Sequence, residues 1–252
     1  MPKKKFILDP KKRFSSRVEN YIKFRPNYPS EIIKFLKEKK ILIKDSIIAD
    51  IGSGTGILSE IFLKNGNVVY GIEPNADMRN AAEKLLENYS DFITVDGSAE
   101  STNLKGKSID IITVGQAFHW FDIKQTQKEF RRILKEGGYV ILIWNNRKKS
   151  DSGFSTEYEK FIIKYGKDYK FTRKDETDIN NFFKYEKEVF YNYQDFDFEG
   201  LKGRLLSASY IPLENSPEYE DMIKELAFIF DKYQHDGTIK LEYDTEVYYG
   251  TF

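Results

Sequence analysis

Ile47-Ile48-Ala49-Asp50-Ile51-Gly52-Ser53-Gly54-Thr55-Gly56 is an apolar run that ends in an acid and then sets three glycines on alternate positions. It reads as a buried strand feeding a tight turn. Glycine lacks a β-carbon, so the backbone can turn sharply here and let a ligand lie against it, while the next helix aims its free N–H groups at that ligand. Ile57 to Gly66 supplies this helix, with a glycine at its end, and Asn67-Val68-Val69-Tyr70-Gly71-Ile72 supplies a second strand that stops at Glu73. Glu73 falls 21 residues after Gly52. That spacing puts a carboxylate at the neighbouring strand tip, where it can accept from both hydroxyls of a ribose.

The kind of nucleotide follows from what is missing. A dinucleotide fingerprint needs a small residue where this chain has Ile57, and no phosphate-cradling Gly-x-x-x-x-Gly-Lys-Ser/Thr is present. Asp50 just before the glycines would repel a pyrophosphate but suits a ligand ammonium group. These features fit S-adenosylmethionine, which carries ribose, adenine and an amino acid but no phosphate.

Four stretches carry a family resemblance: Asp50 to Gly56, Gly71-Ile72-Glu73-Pro74-Asn75-Ala76-Asp77-Met78, Gly97-Ser98-Ala99-Glu100, and Gly115-Gln116-Ala117-Phe118-His119-Trp120-Phe121. In this order they resemble the class I S-adenosylmethionine-dependent methyltransferases, and within them the small-molecule branch that includes trans-aconitate methyltransferase. The likeness covers roughly residues 14–145. Ser207-Ala208-Ser209-Tyr210-Ile211-Pro212 and Leu241-Glu242-Tyr243-Asp244-Thr245 extend it toward the C-terminus. It implies an α/β fold: a Rossmann-like, mostly parallel seven-stranded sheet with helices on both faces and one antiparallel C-terminal strand. The cofactor implied is S-adenosylmethionine, with S-adenosylhomocysteine as product.

Composition is that of an ordinary globular enzyme. Lys+Arg and Asp+Glu each number 40 in 252 residues, which argues against a global polyanion-binding role. The absence of cysteine removes disulfides, iron–sulfur chemistry and a cysteine nucleophile together. Lys3-Lys4-Lys5 and Lys11-Lys12-Arg13 form a basic arm that reads as a solvated tail or as a contact to nucleic acid. No run of about 18 apolar residues and no signal-peptide core occur, so the expectation is a cytoplasmic protein without membrane or nucleic-acid partners. No metal site is expected, and oligomeric state is left open.

The chain divides into an N-terminal arm and cofactor-covering segment (1–28), a cofactor-binding core (29–146), an insertion or lid (147–186) and a C-terminal part completing the sheet (187–252). Within the core, Pro29 opens a helix to about Lys40, Asn75 caps a helix from Ala76 to Glu87, and Phe92 to Val95 and Ile109 to Val114 are strands. Asp122 with Gln125 resembles a capping box for a helix through Leu134, and Gly137-Gly138 turns into a strand from Tyr139 to Trp144. Phe154, Tyr158, Phe161 and Tyr165 recur at helical spacing, and Met222, Leu226, Ile229, Phe230 and Tyr233 read as core. Residues Ile239 to Val247 alternate strictly, which marks a half-buried strand.

Site roles follow from the resemblance and from chemistry. Gly52, Ser53 and Gly54 are expected under the methionine part, with Asp50 on its ammonium, Glu73 on the ribose, and Pro74 and Met78 as walls of the adenine. Ser98 stands where many relatives have an aspartate for the adenine amino group, so that contact is expected from Ser98 and the Ala99 backbone. Gln116 and Phe118 are assigned to the cofactor, as are Tyr21 and Arg25, whose guanidinium suits a carboxylate. His119 reads either as a general base or as a histidine that packs and hydrogen-bonds at the strand end. Trp120, Trp144 and Asn145 are the candidate acceptor contacts. The chemistry expected is methyl transfer to a small molecule, with a carboxylic acid among the acceptors. A cofactor-binding regulatory protein and a nicotinamide-dependent oxidoreductase are the alternatives.

Overall fold

The computed structural model describes residues 17–167, 169 and 176–252. The basic arm at 3–5 and 11–13 lies outside them. The chain forms two compact units, one of Met1–Pro26, Asn146–Arg173 and Tyr191–Asp244, the other of Asn27–Asn145, Lys174–Phe190 and Thr245–Phe252.

In the second unit the strands β1 (Ile47–Ile51), β2 (Val68–Ile72), β3 (Phe92–Val95), β4 (Ile109–Gly115) and β5 (Leu134–Arg147) run parallel. With β6 (Lys184–Phe196) and β7 (Ile239–Thr251) they make a seven-stranded sheet in the order β3-β2-β1-β4-β5-β7-β6, mostly parallel with one antiparallel C-terminal pair. Strands buried on both faces have no polar side, and β1 is the example. Ile48 packs into one apolar layer with Ile111 and Ile141, whereas its neighbour Ala49 packs into the other with Ile112 and Val140. The first layer is covered by α2 (Glu31–Glu38) through Ile32 and Leu36 and by α3 (Ile57–Lys64) through Leu58 and Phe62. The second is covered by α5 (Ile123–Ile133) through Phe130 and Ile133 and by α7 (Glu176–Phe182) through Ile179 and Phe182. The chain is therefore wound on both faces of the sheet.

Helix α4 (Ala76–Leu85) starts as expected, with the Asn75 side chain accepting from the Met78 N–H at 3.0 Å. The capping box at Asp122 is only half formed. The Asp122 carboxylate accepts from the Gln125 N–H, but the Asp122 N–H donates to Glu100 at 2.9 Å, so the Gln125 amide turns to the Asp122 carboxylate instead. Nor does a turn separate α5 from β5. The strand begins directly at Leu134, and a register shift between Ile109 and Ile111 with Gly137 at φ +73° absorbs the residues read as a turn.

The first unit has its own core. Tyr158, Phe161 and Ile162 of α6 (Phe154–Tyr165) pack with Leu201 and Leu205 of α8 (Phe198–Leu206) and with Met222, Leu226 and Ile229 of α9 (Tyr219–Tyr233). The aromatic stripe at helical spacing on α6 is thus a packing face. α1 (Val18–Phe24) closes on α8 at Gly203, where a β-carbon would come 2.1 Å from the Phe24 ring. Among the described residues no helix is long and apolar enough to cross a membrane, and no group of three His, Cys, Asp or Glu is placed to hold a metal.

Candidate functional site

Sheet order places the site. β1 has β2 on one side and β4 on the other, so the chain leaves β1 and β4 at the point where the strand order reverses, and such sheets bind ligands there, beyond the strands' C-terminal ends. Gly52, Gly54 and Gly56 stand at φ +70°, +57° and +85°, the left-handed region that other residues adopt at a cost. A β-carbon on Gly52 would come 2.7 Å from the Ala117 β-carbon, so only a glycine lets the turn after β1 meet the loop after β4. The turn is pinned from below, since the N–H groups of Gly52 and Ser53 both donate to the Ile72 carbonyl, at 2.8 and 3.2 Å.

Glu73 ties the tip of β2 to this turn. One carboxylate oxygen accepts from the Gly54 N–H at 3.0 Å and the other from the Asn75 N–H at 2.9 Å. Each oxygen keeps a further lone pair for a ligand hydroxyl. Burial raises its pKa, opposed by those two N–H groups. Arg79 supports the same corner by donating to the Glu73 carbonyl at 2.7 Å and to Asp96 at 3.1 Å.

Asp50 is fully buried beneath the glycines. It is in register with Thr113 on β4, whose hydroxyl donates to one carboxylate oxygen at 3.2 Å, and the Ser59 hydroxyl on α3 donates to the other at 2.7 Å. Burial pushes its pKa up to about 6 despite both hydroxyls. Its charge therefore sits below the turn in a dry setting, with its oxygens facing protein hydroxyls.

Past β4, Gln116 takes a left-handed backbone at φ +58° and donates its amide to the Asn145 carbonyl at 3.4 Å. Asn145 also accepts from the Thr245 hydroxyl at 2.5 Å and donates to the Asn27 carbonyl at 3.4 Å. Phe118, His119 and Trp120 form one 3-10 turn in which the His119 and Trp120 rings lie 4.5 Å apart. Phe118 points into the core, 2% exposed, with its ring edge-on to Phe121, Trp144 and Phe182. Trp144 is equally buried, and its indole N–H lacks a hydrogen-bond partner. At the end of β3, Ser98 and Ser101 exchange backbone hydrogen bonds at 2.9 and 3.1 Å around the buried Ala99. Pro74 is half-buried, and Met78 is 3% exposed inside α4.

The second unit thus brings together Asp50, the glycine turn, Glu73, Pro74, Met78, Ser98, Ala99 and the segment from Gln116 to Trp120, with Trp144 and Asn145 on β5 beside it. Tyr21 and Arg25 belong to the first unit. There the Arg25 guanidinium lies 4.8 Å from the Tyr21 ring and donates to the Ser207 carbonyl at 3.0 Å. Sequence reasoning does not pick out Ser59, Thr113 or Asn75 as parts of the site. Ser59 and Thr113 do leave a trace, a hydroxyl at each of two fully buried positions in otherwise apolar stretches.

Comparison with known proteins follows the same lines. Residues 49–142 match the family model described as a methyltransferase domain. An uncharacterized methyltransferase of Schizosaccharomyces pombe is 30% identical over 138 residues, covering 54% of this chain and 54% of that one. One of Mycobacterium tuberculosis is 32% identical over 134 residues, 53% of this chain and 52% of that one. The chain therefore spans about half the length of the curated relatives it matches. A solved chain from Anaeromyxobacter dehalogenans, named as a candidate type II methyltransferase, superposes with a TM-score of 0.69 at 17% identity over 90% of this chain and 97% of its own. Phosphoethanolamine N-methyltransferase 2 of Haemonchus contortus, solved in complex with S-adenosyl-L-methionine, gives 0.55 at 14% identity over 99% of this chain and 60% of its own. Likeness at these identities is one of fold. Residues 49–142 thus resemble a methyltransferase domain in sequence, and the solved methyltransferases share the fold.

Proposed function

We propose that this chain is a cytoplasmic methyltransferase acting on a small molecule, in the branch that resembles trans-aconitate methyltransferase, with a carboxylic acid as the acceptor to test first. The observation that carries the reading is the glycine turn of three left-handed residues held under the Glu73 carboxylate. This cradle presents backbone and an acid but no phosphate-binding side chain. S-adenosylmethionine supplies, when bound, a methyl group on a positively charged sulfur.

In this reading Gly52, Ser53 and Gly54 line the methionine part, and Glu73 uses its remaining lone pairs for the ribose hydroxyls. Asp50 contributes its negative charge from beneath the turn to the ligand's cationic end. Pro74 and Met78 bound the adenine, with Ser98 and the Ala99 backbone at its edge. Gln116 and Phe118 shape the wall beyond β4. His119 takes a proton where the acceptor nucleophile carries one, and Trp120, Trp144 and Asn145 orient the acceptor. Because the electrophile is already activated, alignment and exclusion of water are the protein's main contributions.

Thermal melting with saturating S-adenosylmethionine, S-adenosylhomocysteine and NAD in parallel tests this. A ligand at a hundred times its Kd adds about 2.7 kcal/mol, which in a chain of this size raises Tm by about 5–10 °C. Stabilisation by the two sulfur ligands alone is expected. Stabilisation by NAD alone would overturn the residue roles along with the reading.

A further inference from the structure

Among the described residues, the first unit gathers buried arginines beside a single carboxylate partner, Glu159. Arg25, Arg147 and Arg204 come from three separate parts of the chain, and the charge of each acts on the Tyr210 hydroxyl. Arg204 is 6% exposed, and the Arg147 side chain 16%. Arg25 and Arg204 meet at one residue, since Arg25 donates to the Ser207 carbonyl at 3.0 Å and Arg204 to the Ser207 hydroxyl at 3.4 Å. Arg147 is joined to that tyrosine through Tyr169, to whose hydroxyl it donates at 2.6 Å and whose ring lies 5.0 Å from the Tyr210 ring, and it pairs with Glu159 at 2.8 Å. Burial alone would raise the Tyr210 pKa, yet the combined charges of Arg147, Arg204 and Arg25 hold it below the ordinary value. Burial and the nearby Arg204 likewise depress Arg25.

Guanidinium groups do not shed their proton in proteins, so these charges persist at any working pH. Among the described residues their ion pair is with Glu159. Their hydrogen bonds besides go to a carbonyl and to hydroxyls of Ser207, Tyr169, Tyr210 and Tyr243. Among the described residues these cations face one carboxylate, in a setting where unpaired charge is costly. The Nε groups of Arg25 and Arg147 are buried without a hydrogen-bond partner. Planar donors left free beside these charges are what a bidentate oxyanion requires.

We infer that the first unit holds a binding site for a small dianion, built from Arg25, Arg147 and Arg204 beside Tyr210. The site stands on these residues alone and does not depend on the methyl-transfer reading. Two ligand classes share this chemistry, a tetrahedral oxyanion such as a phosphate group and a molecule with two carboxylates.

Calorimetric titration of the full chain at low ionic strength, at a pH near 8, tests it with four probes: inorganic phosphate, succinate, the monoanion acetate and the neutral dimethyl ester of succinate. Phosphate or succinate is expected to bind at least tenfold tighter than acetate, with no binding of the ester, and whichever is tighter identifies the class. Arg204→Gln and Arg147→Gln should each weaken that ligand at least tenfold. Equal affinity for acetate and both dianions in the wild-type chain would overturn the inference, even if neither variant folds. Unchanged dianion affinity in variants that melt like wild type would overturn it too.

Discussion

Replacing Asp50 by asparagine should stabilise the ligand-free protein. The Asp50 carboxyl titrates near 6 in the fold against an ordinary value of 3.8, because burial opposes its charge more than the hydroxyls of Ser59 and Thr113 favour it. The folded state therefore holds the proton more tightly than the unfolded chain, and stability falls as pH rises from about 4 to about 6. At about 1.36 kcal/mol per pH unit the full loss is about 3 kcal/mol, in place by pH 7.5. Asparagine has the same shape, and both hydroxyls can rotate to serve its oxygen and its amide. Asp50→Asn should then be more stable than wild type by about 3 kcal/mol at pH 7.5 and by about half of that at pH 5. In thermal melts of a chain this size the larger gap corresponds to about 6–12 °C. Affinity for S-adenosylmethionine should fall in the same variant, since the lost charge is the one placed beneath the ligand's cationic end. A variant no more stable than wild type at pH 7.5, or a gap that stays constant down to pH 5, would refute the argument.

Gly52→Ala places a β-carbon 2.7 Å from Ala117 on a left-handed backbone at φ +70°. It should cost about 1–3 kcal/mol in melting experiments and abolish binding of S-adenosylhomocysteine by calorimetry. Glu129 accepts from Arg132 at 2.7 Å and from the Thr102 hydroxyl and N–H at 2.6 and 2.8 Å, and its pKa is lowered to about 2, first by Arg132. Its contribution is complete above the ordinary carboxyl value and lost as pH falls toward 2, so Glu129→Gln should lower stability by about 1–3 kcal/mol at pH 7 while leaving cofactor affinity intact. His119→Ala should reduce turnover strongly with an alcohol or amine acceptor and little with a carboxylate, and unchanged turnover on a hydroxyl acceptor would remove His119 from the catalysis.

The cofactor half of the fold is legible because its signals are local. β1 is an unbroken apolar run, the glycines occupy positions that other side chains reach only with strain, and Asn75 caps the helix that starts beside it. β6 is not legible in this way. It is largely exposed along its length, with Val189, Tyr191 and Tyr193 among its exposed residues, so no single apolar face marks it as a strand. α8 hides for the opposite reason. Gly200 and Gly203 weaken helix propensity, but the close approach of Phe24 demands a residue without a β-carbon at 203. The site divides along the same line. Which face of a strand is buried can be read from alternation, but a polar group's partners depend on pairing. Asp50 meets Ser59 nine residues away and Thr113 sixty-three residues away, and the second contact exists only because β4, not β2, lies on that side of β1 with Thr113 in register. Arg147 and Arg204 are the extreme case. Each looks like a surface arginine in its own stretch, and their shared burial beside Tyr210 arises only when α6, α8 and β7 assemble, so a charge cluster of this kind is a property of tertiary structure that no window along the chain can carry.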